Sequence, residues 1–260
     1  MKKHLGLILL LLCNIATFAQ PRINDHNNIG WYTTTATLKF ADKWSAHLEY
    51  QWRRDNYITR WQQSLLRTGI NYHVNNHATL RLGYGWIETY PYGKYAINTF
   101  GKQFTEHRIY QALTTTQRVG IFDLTHRYKL EQRWLATYNN GGSIEPDKWT
   151  YLNRLRYQLR AQVPLKKQTG EQTLSRFPYM AAYNEVFIGF GKNAGYNIFD
   201  QNRTAGLLGY QFNKTFRVEA GYLCQIVQLN RQIGFRNILQ YNQGVVVNTV
   251  FNVDVRKQKQ

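Results

Sequence analysis

Cysteines and long apolar runs are both scarce in this sequence. The 260 residues include only two cysteines, Cys13 and Cys224, so a small domain held together by several disulfides is excluded. The longest apolar run, Leu5–Cys13, has about half of the ~20 residues that a membrane-spanning helix needs. If the chain crosses a membrane, it must therefore cross with strands.

The N-terminal residues 1–19 have the pattern of a cleaved secretory signal peptide. A short basic start precedes the apolar run, and small residues stand at the two positions that signal peptidase reads. A lipoprotein anchor at Cys13 is disfavoured because the large Leu12 stands where that cleavage site needs a small residue. We predict cleavage after residue 19 and a single barrel domain over residues 20–260.

Acidic side chains are few. Removing the two lysines of the signal peptide from the 33 Lys and Arg leaves 31 against 15 Asp and Glu, a net charge of +16. In a cytosolic protein this excess would indicate nucleic-acid binding. In an exported chain the anionic partners are instead outer-membrane lipid, including lipopolysaccharide, and small anionic solutes. We expect no nucleic acid, and no oligomeric state follows from the sequence.

Apolar and polar residues alternate over long segments, as in strands that have one face in lipid. Trp44 and Trp52 lie eight residues apart on one such face, about 26 Å along a strand and roughly 20 Å along the membrane normal at a ~40° tilt. The apolar band of an outer-membrane barrel is about 25 Å tall and bounded by aromatic residues. The pattern predicts an all-β, transmembrane, antiparallel up-and-down β-barrel in the outer membrane of a Gram-negative bacterium.

Eleven segments carry this pattern, but single-chain bacterial barrels have even strand numbers. We therefore predict about 12 strands, with 10 as the alternative count. The chain ends are expected near the periplasm, and the longest loop at Tyr90–Thr105. The connection Leu165–Arg176 is expected to be long although it lies on the side of the short turns. The segments are 28–40, 44–54, 62–74, 78–89, 106–119, 121–135, 149–163, 179–190, 201–212, 215–228 and 236–252.

Short charged runs recur along the chain after the signal peptide. They are Glu106–Gln111, His126–Arg133, Arg156–Tyr157 with Pro164, Tyr183–Phe187 and Asp200–Arg203. These runs resemble an uncharacterised group of Gram-negative outer-membrane proteins, the "domain of unknown function 2490" family. The resemblance covers nearly the whole chain after the signal peptide. It implies a barrel, and it implies no activity.

Basic residues recur on the face of the strands that would point into the barrel. Arginine facing lipid at mid-membrane costs about 2–4 kcal/mol, so these side chains are expected inside. Eleven basic against four acidic side chains leave most arginines without a carboxylate, which favours a wet, anion-attracting interior over one packed with ion pairs. The lumen and anion-binding candidates are Arg81, Arg127, Lys129, Glu131, Arg133, Arg154, Arg156, Arg160, Glu185, Arg203 and Arg217. Arg53, Arg67, Glu49 and Glu219 share the face.

These features favour a passive envelope component, either a narrow pore with a basic lumen or a structural barrel. A lipid-modifying enzyme is an alternative, because Ser45, His47 and Glu49 share one face and are formally a nucleophile, a base and an orienting acid. Ordinary polar interior residues are the simpler interpretation of these three. A binding or assembly module for other envelope proteins is a further alternative. No motif indicates a metal or a cofactor, and we expect neither.

Overall fold

The computed structural model describes residues 22–165, 176–195 and 197–256. The predicted signal peptide and most of the connection between residues 165 and 176 lie outside these ranges. Eleven strands make up the described chain, which confirms the all-β prediction. They are β1 (Arg22–Lys39), β2 (Trp44–Asp55), β3 (Arg60–His73), β4 (Ala78–Thr89), β5 (Phe104–Val119), β6 (Phe122–Thr137), β7 (Lys148–Pro164), β8 (Phe177–Phe190), β9 (Phe199–Gln211), β10 (Phe216–Ile233) and β11 (Arg236–Asp254).

The strands form one closed barrel. Each strand pairs antiparallel with the next along the chain, but β1 and β11 pair in parallel, from Arg22 opposite Asn237 to Lys39 opposite Asp254. The predictions of 12 strands and of a wholly antiparallel sheet are therefore wrong for the described residues, which contain 11. An even number is required only when the first and last strands pair antiparallel, and the parallel seam removes that requirement.

The parallel seam also puts the two ends of the described chain at opposite ends of the barrel. One end, the turn end, carries the connections 40–43, 74–77, 120–121 and 212–215. The other, the loop end, carries 56–59, 90–103, 138–147, 191–198 and 234–235. β1 begins at the loop end and β11 ends at the turn end, so the expectation that both chain ends lie on the side of the short turns is wrong.

Two sequence predictions differ from the structure near the loop end. The first strand begins at Arg22 rather than at residue 28, because its polar start pairs with β11 beyond the end of β2. Residues 229–235, which lie between the last two predicted segments, are mostly strand, and β10 and β11 are joined by only two residues, Gly234 and Phe235. Both have positive φ, 54° and 60°, as the tight turns of hairpins require.

The outer face of the barrel is apolar. Large hydrophobic side chains point outward along the strands, with Leu208 as much as 64% exposed. Aromatic pairs stand on this face near both ends, Trp44 with Tyr72 at the turn end and Trp52 with Trp61 at the loop end. In the described part of the chain no helix is long and apolar enough to cross a membrane.

The core of the protein is the inside of the barrel, where most buried side chains lie. Glycines give space to the largest of them, because a Cβ at Gly83 would overlap the ring of Tyr110, and one at Gly209 the ring of Tyr179. An apolar cluster joins β1 to β8, β9, β10 and β11, and the charged side chains belong chiefly to β2–β9. The cluster consists of Ile29, Trp31, Tyr179, Ala181, Ala205, Leu207, Leu223 and Val246.

Candidate functional site

A network of buried ion pairs lies in the middle of the barrel interior. Glu131 on β6 and Arg154 on β7 are cross-strand neighbours, and their side chains meet at 2.6 Å. Arg156 Nη1 lies 2.6 Å from the second oxygen of Glu131 and Nη2 lies 2.6 Å from Glu185 Oε1. All four side chains are at most 3% exposed. Each carboxylate accepts from more than one guanidinium, so the pairs form one continuous network.

The network extends to strands that are not neighbours. Arg127 Nη2 lies 3.0 Å from Glu185 Oε1, which joins β6 to β8. Arg154 Nη1 lies 2.6 Å from Asp200 Oδ2, which joins β7 to β9. Arg160 Nη2 lies 2.6 Å from Glu219 Oε1, which joins β7 to β10. These contacts cross the interior instead of following the sheet.

Further ion pairs surround this network. Glu106 on β5 accepts from Arg108 on its own strand and from Arg133 on β6, whose Nε lies 2.6 Å from Oε1. Arg67 Nη1 lies 2.6 Å from Glu49 Oε1. Because ionised carboxylates have about four acceptor sites each, a few of them can serve many arginines.

The expectation that most basic interior side chains lack a carboxylate is wrong. Seven of the eleven have a carboxylate oxygen within 4 Å. They are Arg67, Arg127, Arg133, Arg154, Arg156, Arg160 and Arg203. The prediction missed Glu106 and Asp200 as partners, because Glu106 is the first residue of a predicted strand and Asp200 lies just before another. Glu106 lies on the same face of its strand as Arg108 and Tyr110, and this alternation could have predicted that Glu106 points into the interior.

Four predicted basic residues have no carboxylate oxygen within 4 Å among the described residues. Arg81 Nε donates to Asn71 Oδ1 at 2.6 Å. The ammonium of Lys129 lies 4.5 Å from the ring centroid of Tyr110. Arg53 donates to Gln51 Oε1 and to Gln63 Oε1. The fourth is Arg217, whose buried Nε has no hydrogen-bond partner.

A cavity of about 340 Å³ lies at the loop end of the interior. The connection 90–103 forms one side of it and is attached through Tyr92, whose hydroxyl donates to Gln240 Oε1 and accepts from Asn242 Nδ2, both at 3.0 Å. Burial raises the pKa of Tyr92 to about 12, so the hydroxyl keeps the proton that it donates. The backbone N–H groups of Lys94 and Tyr95 approach the carboxylate of Asp25. The connection is thus folded into the mouth of the barrel.

Two arginines and a tryptophan meet at the inner side of this cavity. The guanidinium carbon of Arg53 lies 3.8 Å from the ring centroid of Trp31, and that of Arg203 lies 4.8 Å from it. The indole Nε1 of Trp31 donates to Gln62 Oε1 at 2.6 Å. Arg203 also lies 4.5 Å from the ring centroid of Phe187. Cation–π contacts hold both guanidinium groups in place.

The predicted catalytic candidates do not form a triad. Ser45, His47 and Glu49 share the inner face, but His47 Nε2 pairs with Glu49 Oε2 at 3.4 Å and neither of its ring nitrogens has a hydrogen-bond partner. Ser45 Oγ lies instead 3.0 Å from Nε2 of His73 on β3. In the sheet Ser45 lies opposite Asn71, and His73 is the diagonal neighbour two residues further along β3. Diagonal neighbours are within reach of long and aromatic side chains.

The alternative pair, Ser45 with His73, lacks an orienting acid. The second ring nitrogen of His73 lies 3.1 Å from the hydroxyl of Thr79. Ser45 Oγ accepts a further hydrogen bond from Asn71 Nδ2 at 2.9 Å, and Ser45 is completely buried. These contacts describe a polar cluster that satisfies its own hydrogen bonds.

The family model described as "Protein of unknown function (DUF2490)" matches residues 28–234. The chain belongs to this family. A relative, an uncharacterized protein of Methylorubrum extorquens (strain AM1), is 27% identical over 234 residues, which are 86% of this chain and 90% of the relative. The solved structure of the NanC porin is similar to this member of the DUF2490 family with a TM-score of 0.45 and 13% sequence identity, over 86% of this chain and 97% of that chain.

Proposed function

We propose that the protein is a Gram-negative outer-membrane barrel with a passive role in the envelope, and that the ion-pair network closes its interior to bulk flow. Export by the signal peptide of residues 1–19 is part of the proposal. A barrel leaves no strand edge unpaired, which is the condition for strands to cross lipid. The apolar outer face and the aromatic pairs near both ends support insertion, because these are features of membrane barrels.

The network around Glu131 is the observation that supports a closed interior. The carboxylate of Glu131 lies in the middle of β6 and is completely buried. Arg154 and Arg156 both contact it. The cation–π contacts of Arg53 and Arg203 with Trp31 link β2 and β9 through β1. Side chains that contact one another across the interior leave less room for water, as in narrow barrels whose interior is packed.

Two measurements test this proposal. The outer-membrane fraction is run on a gel with and without heating, and a folded barrel is expected to migrate differently in the two lanes. The purified protein is then added to planar lipid bilayers, where we expect conductance well below that of an open porin. Recovery of the protein in the soluble periplasmic fraction would contradict the membrane assignment, and large steady conductance would contradict the closed interior.

A narrow anion-preferring pore is the second candidate. Arg53, Arg81, Lys129 and Arg217 have no carboxylate oxygen within 4 Å among the described residues, and rings of unpaired basic side chains favour anions. This candidate predicts small but resolvable single-channel steps in the same bilayers. Under a salt gradient the reversal potential would then show preference for anions, and a cation-selective reversal potential would contradict it.

A further inference from the structure

The cavity at the loop end has an unbalanced charge. Six arginines and two carboxylates line it, a formal net charge of +4. Three of these arginines contact the two carboxylates, since Glu106 pairs with Arg108 and Arg133, and Asp200 with Arg154. Among the described residues, the other three, Arg53, Arg203 and Arg231, donate hydrogen bonds to neutral oxygens and none to a carboxylate, so the excess positive charge lies on them.

Arg53 and Arg203 are the two such arginines at the inner side of the cavity. Every hydrogen bond of the Arg53 guanidinium goes to a neutral glutamine oxygen. Arg203 has one close hydrogen bond, from Nη2 to Gln201 Oε1 at 3.0 Å, and its nearest carboxylate oxygen, on Glu185, is 3.9 Å away. Its Nε is buried without a partner.

An anionic acceptor in the cavity would satisfy guanidinium donors that the protein leaves unused. A guanidinium has five N–H donors in a planar fork, so the contacts of Arg203 leave donors for a ligand. The cation–π contacts with Trp31 hold both side chains in fixed positions beforehand. Fixed donors reduce the entropy that a ligand must lose on binding.

The rest of the cavity is suited to an apolar group. Phe100 and Phe104 line one side, and Leu135 and Leu152 line another. The volume of about 340 Å³ is at the lower end of the roughly 300–1,000 Å³ that small-molecule sites occupy. The cavity is partly open, at the end of the barrel that carries the longest connections.

We propose that this cavity binds a small organic anion, with its carboxylate against Arg53 and Arg203 and a ring-sized apolar group against the phenylalanines and leucines. Binding at the mouth is a function beyond that of a closed barrel, and it does not depend on whether the barrel conducts. Tyr92 and the connection 90–103 complete the wall of the site.

Isothermal titration of the purified, detergent-solubilised protein with benzoate tests the proposal. We expect saturable binding of one benzoate per chain, weaker binding of acetate because it lacks the ring, and no binding of benzamide because it lacks the charge. Added chloride should weaken the binding of benzoate. Absence of saturable heat with benzoate, or equal affinity for benzamide, would overturn the proposal.

Substitutions locate the site. Arg53→Gln and Arg203→Gln are each expected to weaken benzoate binding at least tenfold, and Arg53→Lys to retain part of it. Arg217→Gln is the matched control, because Arg217 also lacks a close carboxylate but does not line this cavity. Heat-modifiable migration checks that each variant folds. If Arg203→Gln does not fold, the benzoate affinity of Arg53→Gln alone tests whether the site lies at this cavity. Equal affinities for Arg53→Gln and Arg217→Gln would overturn the assignment.

Discussion

The carboxylate of Glu131 is completely buried and lies opposite Arg154 on the neighbouring strand, with 2.6 Å between the charged atoms. The same carboxylate also contacts Arg156. A buried pair of this kind contributes little relative to a well-packed apolar pair, but removing one partner leaves a buried charge without compensation. The stability of the barrel therefore depends on both partners being present.

Glu131→Gln is expected to lower the free energy of unfolding by about 3–5 kcal/mol, because two guanidinium groups lose a charged acceptor in a buried place. Urea unfolding of the protein in lipid vesicles, followed by tryptophan fluorescence, measures the change. Arg118→Gln is the control, since Arg118 is 58% exposed and lies 3.9 Å from Asp123. Exposed pairs are worth about 0–1 kcal/mol, and equal losses in the two variants would contradict the prediction.

Tyr92→Phe is expected to loosen the connection 90–103, because the hydroxyl makes the contacts with Gln240 and Asn242. Leaving such buried groups unsatisfied costs about 1–3 kcal/mol, and local opening becomes more frequent by the corresponding factor. Limited trypsin digestion should then cut at Lys94 or Lys102 about five times faster or more. Tyr95→Phe is the control, and unchanged cleavage of Tyr92→Phe relative to it would refute the anchoring role.

Alternation along the chain predicts which residues share a face of a strand, but not which side chains meet. Arg154 and Arg156 are two residues apart, and a period of two puts both inside. The contact between Arg160 and Glu219 was not predictable, because it depends on how the strands are tilted and staggered around the barrel. Alternation does not distinguish the two faces of a strand when both are apolar. For this reason the sequence did not predict that Leu207 is buried while its neighbour Leu208 is exposed.

The parallel seam was the other feature that could not be predicted. The start of β1 is polar, from Arg22 to Asn28, and such a stretch is equally compatible with a free N-terminal segment. Its partner is β11, at the far end of the sequence. Single-strand patterns contain no information on that pairing, whereas the even-number rule favoured a twelfth strand.

Gly83→Ala is expected to destabilise the barrel by about 1–3 kcal/mol, which is the usual effect of forcing atoms into a packed core. The added Cβ would overlap the ring of Tyr110 and also approach the backbone of β3. Gly85→Ala is the matched control on the same strand, because its Cβ would meet nothing closer than 3.5 Å. Urea unfolding compares the two variants, and equal midpoints would show that the ring of Tyr110 does not need the space at Gly83.

Phe235→Gly is expected to stabilise the protein by roughly 1 kcal/mol, because a non-glycine residue in the left-handed region carries strain. Phe235 has a φ of 60° and is 93% exposed, so little packing is lost with its side chain. Ile144→Gly is the control, since Ile144 is 96% exposed and is not among the residues with positive φ. The stability of Ile144→Gly should not rise, because at this position glycine only adds backbone entropy to the unfolded chain. A higher urea midpoint for Phe235→Gly but not for Ile144→Gly is the expected result, and equal shifts in the two variants would mean that loss of an exposed apolar side chain is the cause.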